Sequence, residues 1–441
     1  MVDVAEIKIW GQFVGAVRWE PERNFGVFQY DKNFLSKRIE LAPLKMPLAD
    51  GQKLHAFPEL RPKNLAELNT FKGLPGMLAD SLPDRFGRDL INAWLTGNGR
   101  TQDSMNPVEL LCFIGRRAMG ALEFEPAKQN STSGSQAIEI QSLVDTASSI
   151  LNKKKGFTTN LDADKRQAMI EVLKVGTSAG GARPKAVIAY NESSGEVRSG
   201  QSSAPEGFSH WLLKLDGVSK TQFGESYGYG RVEMSYYLMA KDCGIDMMEC
   251  RLLEENGRAH FMTKRFDREG SSTKHHVQTL CAMQHFDFNQ VNSYSYEQLF
   301  QTMRMLKLDY PQAEQMFRRM VFNVYAVNCD DHTKNFSFIL KQNSTWRLAP
   351  AYDVCFSYDP KSIWVSQHAL SILGKRKEIA DEDLLEMAYR NNIRKPDEIL
   401  AQIKDVVSRW DEYASQTSVD EKLKNHIFQV LKTQSPLAAL R

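Results

Sequence analysis

From about residue 271 the hydrophobic spacing is helical, yet one short stretch breaks it, and that interruption limits the folds open to the chain. Met316, Phe317, Met320, Val321, Val324 and Tyr325 recur at helical spacing. They predict a helix over Gln312–Val327 with Pro311 in its first turn. Phe336–Leu340, a polar Lys341–Ser344 turn and Trp346–Leu348 then read as a short hairpin inserted among helices. The polar stretch Asn328-Cys329-Asp330-Asp331-His332-Thr333-Lys334-Asn335 joins helix to hairpin. Asp353 follows the hairpin, 18 residues beyond Asn335, and a strand, a turn and a strand bring it back beside Asn335.

The spacing suggests a chemistry. Asp330 and Asn335 are separated by four residues, as in the catalytic loop of protein kinases, where the Asp accepts the substrate hydroxyl proton and the Asn binds magnesium. A carboxylate is needed near an attacking hydroxyl. A hard cation wants oxygen ligands, which an Asn carbonyl supplies. Asp353 imitates the second metal-binding Asp of kinases, although it sits in Tyr352-Asp353-Val354 rather than Asp-Phe-Gly. Lys334 would offset charge on the moving phosphoryl group.

A second signal is Gly176-Thr177-Ser178-Ala179-Gly180-Gly181-Ala182-Arg183-Pro184-Lys185, followed by a strand at Ala186–Tyr190. Small residues let backbone N–H groups approach phosphate oxygens. The loop is neither a Walker A motif nor a dinucleotide fingerprint, and read alone it is an ordinary flexible loop. A third signal is Lys214 in the apolar strand His210–Leu215. Its ammonium must reach an anion or water, and Glu233 opens the next helix at a distance suited to orienting it.

The rest of the chain mixes strands and helices. The N-terminus predicts a hairpin, Ile7–Trp10 and Phe13–Trp19 about Gly11-Gln12. Helical stretches follow around Asn64–Phe71, Pro83–Trp94 and Pro107–Ile114, then a strand at Gly120–Phe124. Asn130–Ser135 reads as a linker. Asn191–Gly200 is turn-rich. Arg231–Cys243 is a helix stopped at Gly244, and Leu252-Leu253 and His260–Phe266 flank an Asn256-Gly257 turn. Ser295 and Gln298 form a capping box for Tyr296–Lys307. Asp381, Pro396-Asp397 and Ser418–Glu421 each start a later helix. The expectation is an α+β chain with an N-terminal α/β subdomain over 1–128, a nucleotide-binding lobe over 136–270 and a mostly helical lobe over 271–441.

Composition removes several function classes. Over 441 residues, 42% hydrophobic and 25% charged is the mix of a soluble globular protein. Basic and acidic residues number 56 and 54, which argues against a general polyanion binder. Lys153–Lys155, Arg116-Arg117 and Lys375–Lys377 read as solvated patches. The six cysteines form no C-x-x-C pair and read as reduced thiols of a cytoplasmic protein. No apolar run approaches the ~20 residues of a membrane helix, and MVDVAEIKIW lacks a secretory pattern. His275 and His276 are adjacent and cannot chelate one ion well.

Taken together, in order, these residues resemble the HipA family, the serine/threonine-kinase toxins of bacterial toxin–antitoxin modules. Ile9–Gly15 and the Asn106–Arg116 segment are similar to its first subdomain. Thr177–Lys185 resembles its serine-bearing phosphate loop, and Lys264-Arg265-Phe266-Asp267-Arg268 its R-F-D-R hinge, where adenine binds. Asp330–Asn335 and Tyr352-Asp353 resemble its catalytic and metal-binding motifs. The resemblance implies a two-lobed, protein-kinase-like fold that transfers the ATP γ-phosphoryl to a protein. Asp330 would be the base, with Asn335 and Asp353 on Mg²⁺. Gly180, Gly181, Ala182, Arg183, Pro184, Lys185 and Lys214 would lie on phosphate, and Lys264, Arg265, Phe266, His332, Thr333, Lys334 and Tyr352 around the nucleotide. It further implies autophosphorylation at Ser178 and a substrate such as an aminoacyl-tRNA synthetase. A small helix-turn-helix antitoxin of HipB type would carry the contact with DNA. Two departures stand out: Asp331 where the family often has glycine, and Arg183-Pro184 before Lys185. A small-molecule or lipid kinase with the same loop, and a non-catalytic co-repressor, are the alternatives.

Overall fold

The computed structural model describes residues 2–62, 69–83, 85–126, 140–151, 184–200, 204–218 and 228–436. The phosphate-loop residues Gly176–Arg183, with Ser178, Gly180, Gly181 and Ala182, lie outside them. So do Lys153–Lys155, the Asn130–Ser135 linker and most of the helix expected over Asn64–Phe71. The chain divides into two compact units. Unit one comprises Met1–Tyr227, Leu253–Val277 and Lys341–Asn343, and unit two comprises Gly228–Leu252, Gln278–Leu340 and Ser344–Arg441.

Among the described residues unit one carries two five-stranded sheets and a short pair, Arg268–Glu269 with Thr273–Lys274. In the first, β1 (Val4–Ile9), β2 (Gln12–Glu20), β3 (Phe25–Tyr30), β4 (His55–Ala56) and β5 (Leu122–Glu125) pair in the order β4-β3-β2-β1-β5. Ile7, Ile9, Val14, Val17 and Phe28 are fully buried. The first hairpin forms as expected, but its turn sits one residue earlier, at Trp10-Gly11, with φ of 49° and 73°. A two-residue turn that matches strand twist needs positive φ at both positions. Glycine takes this freely, while Trp10 is held there by its indole N–H, which donates to Lys274 O at 2.7 Å. Helix Pro107–Ile114 begins where Asn106 caps it, the Asn side chain accepting from Glu109 N at 2.8 Å.

The second sheet runs β7-β6-β8-β10-β9. Its strands are β6 (Lys185–Asn191), β7 (Val197–Ser199), β8 (Phe208–Lys214), β9 (Cys250–Glu255) and β10 (Arg258–Lys264). β7 was not foreseen, because the Asn191–Gly200 stretch reads as turns. Asn256-Gly257 makes the β9–β10 turn with positive φ at both residues. Phe86, Leu90, Ile91 and Leu95 on helix Arg85–Gly97 join Ile188, Trp211, Leu213 and Met262 of the sheet in one core. Each such side chain contributes about 1.5–3 kcal/mol by leaving water.

Unit two is mostly helical. Helix Tyr310–Tyr325 buries Met316, Phe317, Met320, Val321, Val324 and Tyr325, the stripe read from sequence. Tyr236, on helix Tyr229–Asp242, packs against Phe322 and Trp410 at 6.1 and 5.7 Å and donates to Ala326 O at 2.6 Å. The Ser295–Gln298 capping box forms. Strands Ser337–Leu340 and Trp346–Leu348 make the expected antiparallel hairpin. Helices Asp381–Arg390, Pro396–Ser408 and Glu421–Gln434 start where expected. A further helix, Trp410–Gln416, was not anticipated.

Candidate active site

The catalytic-type loop is fastened at both ends. Helix Tyr310–Tyr325 stops at Ala326, and Val327 turns the chain with a φ of 51°. A left-handed β-branched residue is strained. Two bonds hold it: Ser357 N donates to Val327 O at 3.2 Å and Cys329 N to Ser357 O at 3.0 Å. At the far end Thr333 is buried, its hydroxyl donating to Phe286 O at 2.8 Å. Thr333 therefore anchors the loop.

Within the loop, the Asn335 amide donates from Nδ2 to the Asp330 carbonyl at 2.7 Å. That bond keys Asn335 to the backbone of Asp330 and leaves Oδ1 as the acceptor end of the amide. Asp330 keeps its side chain 42% exposed, with His332 Nε2 3.7 Å from its Oδ1. Asn335, Tyr352 and Asp353 line one small cavity, so the hairpin does return Asp353 to the vicinity of Asn335. Asp353 adopts a φ of 56°. The Tyr352 hydroxyl donates to Lys334 O at 2.6 Å and meets Ser337 Oγ, which ties this segment to the loop. An amide oxygen and a carboxylate are the oxygen set a hard divalent ion accepts when phosphates and water complete its shell. Among the described residues no cluster of three or more His, Cys, Asp and Glu forms a metal site of its own.

Around Asp330 the wall is aromatic. Phe288, Tyr294, His332 and Trp364 line a pocket with Asp330, Ala369 and Leu370. The Phe288 ring lies 5.0 Å from His332 and 6.5 Å from Trp364, and Lys334 Nζ lies 5.3 Å from its centroid. The Cys329 thiol is pushed up by burial, then by the carboxylates of Asp331 and Asp330, so it stays protonated.

Asp331, unlike Asp330, is buried. It accepts from Tyr296 Oη at 2.8 Å, Ala369 N at 2.7 Å and His368 Nδ1 at 3.1 Å. Sequence reasoning treated it as an extra charge beside the base. Tyr296, Asn323 and His368 also escaped it, because their pairing joins segments far apart in sequence, and so did Arg319, on the same helix as Asn323.

In unit one, Lys185 stands directly opposite Lys214 in the β6–β8 register. The two are 3% and 9% exposed. Directly opposed residues of an antiparallel pair share a face, and like charges there repel, so the pair suits a polyanion such as a nucleotide phosphate chain. Lys214 Nζ lies 5.6 Å from the Phe261 ring, the residue opposite it on β10. Pro184 accepts from Leu215 N at 3.0 Å. Glu233 is buried on helix Tyr229–Asp242 of unit two.

The Lys264–Arg268 segment divides its labour. Lys264 Nζ lies 5.8 Å from the Trp211 ring and 3.7 Å from Glu192, and Phe266 is half-buried. The Arg265 guanidinium grips Asp267 at 2.8 and 2.7 Å, and its backbone N–H donates to His210 O. Arg268 Nη1 adds 2.7 Å and Gly120 N 2.7 Å to the same carboxylate. His275 pairs with Glu269 at 2.9 Å and His276 with Leu41 O at 3.1 Å, so the adjacent histidines serve separate partners.

Two family matches cover most of the chain. Residues 177–412 match the HipA-like C-terminal domain and residues 5–125 the HipA N-terminal domain. The fold is similar to that of a chain in the Shewanella oneidensis MR-1 toxin–antitoxin complex of HipA, HipB and its operator DNA. That match is 16% identical, covers 98% of this chain and 96% of that chain, and has a TM-score of 0.63. The Helicobacter pylori proinflammatory kinase CtkA matches at 13% identity over 52% of this chain and 89% of that one, with a TM-score of 0.33. No curated protein sequence matches the chain.

Proposed function

The chain belongs to the HipA family of serine/threonine-kinase toxins, with its α+β, protein-kinase-like fold, and on that premise we propose that it transfers the ATP γ-phosphoryl to a serine or threonine of a protein substrate. The observation that carries the reading is the cavity shared by Asn335 and Asp353, with the Asn335 amide keyed to the Asp330 carbonyl. Bound ATP would supply the phosphoryl group. Asp330 takes the proton of the acceptor hydroxyl. Asn335 and Asp353 would hold a Mg²⁺ ion, which would supply charge neutralisation on the phosphates. Lys185 and Lys214 bind phosphate oxygens, assisted by the Gly180–Pro184 backbone. Lys334 offsets developing charge. Lys264 and Phe266 border the adenine, while Arg265 serves the frame.

The protein acts in the cytoplasm as the toxin of a toxin–antitoxin pair. Among the described residues no helix is long and apolar enough to cross a membrane. Its substrate class is a protein of translation such as an aminoacyl-tRNA synthetase, and Ser178 is its autophosphorylation site. A small helix-turn-helix antitoxin is its partner, as HipB is in the Shewanella complex. With a formal charge of +2, the chain contacts DNA only through that partner.

The test is transfer of labelled phosphate from ATP by the purified chain, offered protein extract and phosphoinositide vesicles side by side. Label should enter protein serine or threonine. Asp330→Asn should lower the rate at least about 100-fold, the usual cost of removing a transition-state contact, with circular dichroism unchanged. Label in lipid alone, or equal rates for the variant, would overturn the assignment.

A further inference from the structure

Arg319 lies on helix Tyr310–Tyr325 and is 5% exposed. Among the described residues its Nε–H has no acceptor. Asn328, at the start of the catalytic-type loop, is 3% exposed, and its Oδ1 has no donor. Both side chains line the cavity that Asn335 and Asp353 also line, whose volume is about 10 Å³. A buried donor or acceptor left unmatched costs about 1–3 kcal/mol, and more when charged. Here one orphan is a donor and the other an acceptor, and the space is roughly that of one water molecule.

From Asn328 a run of bonds continues. Its Nδ2 donates to Asn323 Oδ1 at 3.0 Å, Asn323 Nδ2 donates to Tyr296 Oη at 3.0 Å, and Tyr296 Oη donates to Asp331 Oδ2 at 2.8 Å. Every donor faces the same way. The positive end is the buried guanidinium and the negative end is the buried carboxylate. Burial lowers Arg319 only to about 10, so it carries its charge at neutral pH. Burial and the Asp331 charge push the Tyr296 phenol up, so it remains a donor.

We propose that one water molecule bridges Arg319 Nε and Asn328 Oδ1, and that this water closes a single polar chain, Arg319–water–Asn328–Asn323–Tyr296–Asp331, which holds the catalytic loop in register with the His368–Leu370 segment. The bridge accepts from Arg319 and donates to Asn328, matching the sense of every later bond. Bonds aligned in this way polarise one another. The buried guanidinium and the buried carboxylate are thus linked along the chain, beside the nearer contacts of each, Asp246 acting on Arg319 and His368 on Asp331. Asp331 clasps Ala369 N and His368 Nδ1 at the far end, beside the pocket that contains Asp330. Arg319 and Asp331 are therefore positioning residues. Only the kinetic consequence rests on the reading of Asp330 as base.

Three measurements on the full chain test this. A crystal structure should show one water within hydrogen-bond distance of both Arg319 Nε and Asn328 Oδ1. A direct protein partner there, or an anion revealed by a bromide soak, would overturn the site. Hydrogen exchange should then report transmission. Asp331→Asn should speed exchange of the Ala369 amide about tenfold. Arg319→Met should speed it several-fold although Arg319 does not touch Ala369, and the double variant should do no more than Asp331→Asn alone. An unchanged Ala369 amide in Arg319→Met, or effects that multiply, would show independent sites. Finally, Arg319→Met should lower kcat about tenfold with the KM for ATP within twofold. If the wild type transfers no phosphate, the kinase reading fails while the exchange result still judges the chain. If kcat is unchanged but exchange is coupled, the positioning role is overturned.

Discussion

Replacing Asp267 with alanine removes the anion at the centre of a buried cluster. Its side chain is 1% exposed, and the Arg265 and Arg268 guanidinia beside it are 2% and 7% exposed. Alanine would take the paired carboxylate from both buried arginines, leave Arg268 only the charge of Glu123, and orphan Gly120 N. Breaking one side of a buried ion pair costs about 3–5 kcal/mol, and two cations here depend on one carboxylate. With an m-value near 3 kcal/mol per M in urea, the midpoint should fall by roughly 1–1.7 M. Asp267→Asn keeps the shape and some acceptor capacity, so about 2 kcal/mol is expected, the scale of charge-assisted bonds. Tryptophan fluorescence is a suitable readout, since Trp211 is fully buried in the neighbouring sheet. The pH dependence gives a second check. Burial would raise the Asp267 carboxyl, but Arg265, Arg268 and the Gly120 N–H overcome it and hold the group far below the usual carboxylate range. A depressed carboxyl contributes stability that is complete above the unfolded value near ~3.9 and lost as pH falls through the folded value. The difference between wild type and Asp267→Asn should therefore stay constant from pH 5 to 8 and shrink only below about pH 4. A midpoint change under about 0.3 M, or a difference that varies near neutrality, would refute the account.

Trp364→Ala, at the edge of the aromatic pocket that holds Asp330, should raise KM for the protein substrate about tenfold and leave KM for ATP unchanged, measured by steady-state transfer with each substrate varied in turn. His276 is buried, and burial pushes its imidazole down to about 4. The unfolded chain then takes up a proton first, so stability should fall as pH drops from about 6.5 towards 4, and His276→Gln should flatten that limb in urea titrations at stepped pH. Ser295→Ala removes the cap that accepts from Gln298 N. It should cost about 1 kcal/mol, read as a lower urea midpoint, without altering kcat.

Local signals carried the reading furthest where the contacts they implied were themselves local. The Ser295–Gln298 box and the stripe of helix Tyr310–Tyr325 are set by residues a few positions apart. The placement of Asp353 near Asn335 needed only a short hairpin between them. Register and long-range pairing were harder. That Lys185 faces Lys214 depends on how β6 slides along β8, and a shift by one residue would turn one lysine to the other face. Arg265 carried a motif-based role beside the nucleotide, yet Asp267, two residues on, captures both arms of its guanidinium. Helix Trp410–Gln416 was missed because Arg409 alone separates it from Pro396–Ser408, so the two read as one apolar period. The Asp331 contacts join a loop, a helix and a segment far along the chain. Only the oddity of a second Asp after Asp330 hinted at them.

The left-handed backbone of Asp353, with φ at 56°, bears on which amino acids the position can accept. Short polar side chains tolerate that region because they bond to nearby main chain, and glycine tolerates it for want of a Cβ. Glutamate carries the same charge but bears the full steric cost of its longer stem, of order 1–2 kcal/mol. Asp, Asn and Gly therefore meet the backbone at 353 with the least strain, and only the first of these brings a negative charge. A drift from Asp353 to Glu, conservative by charge, carries a main-chain penalty that must be met by other contacts, as it is at Glu378 with its φ of 52°. Drift to Asn or Gly asks less of the backbone and, if Asp353 holds the ion as proposed, would leave a well-formed protein that no longer transfers phosphate, one route by which such a kinase becomes a pure scaffold.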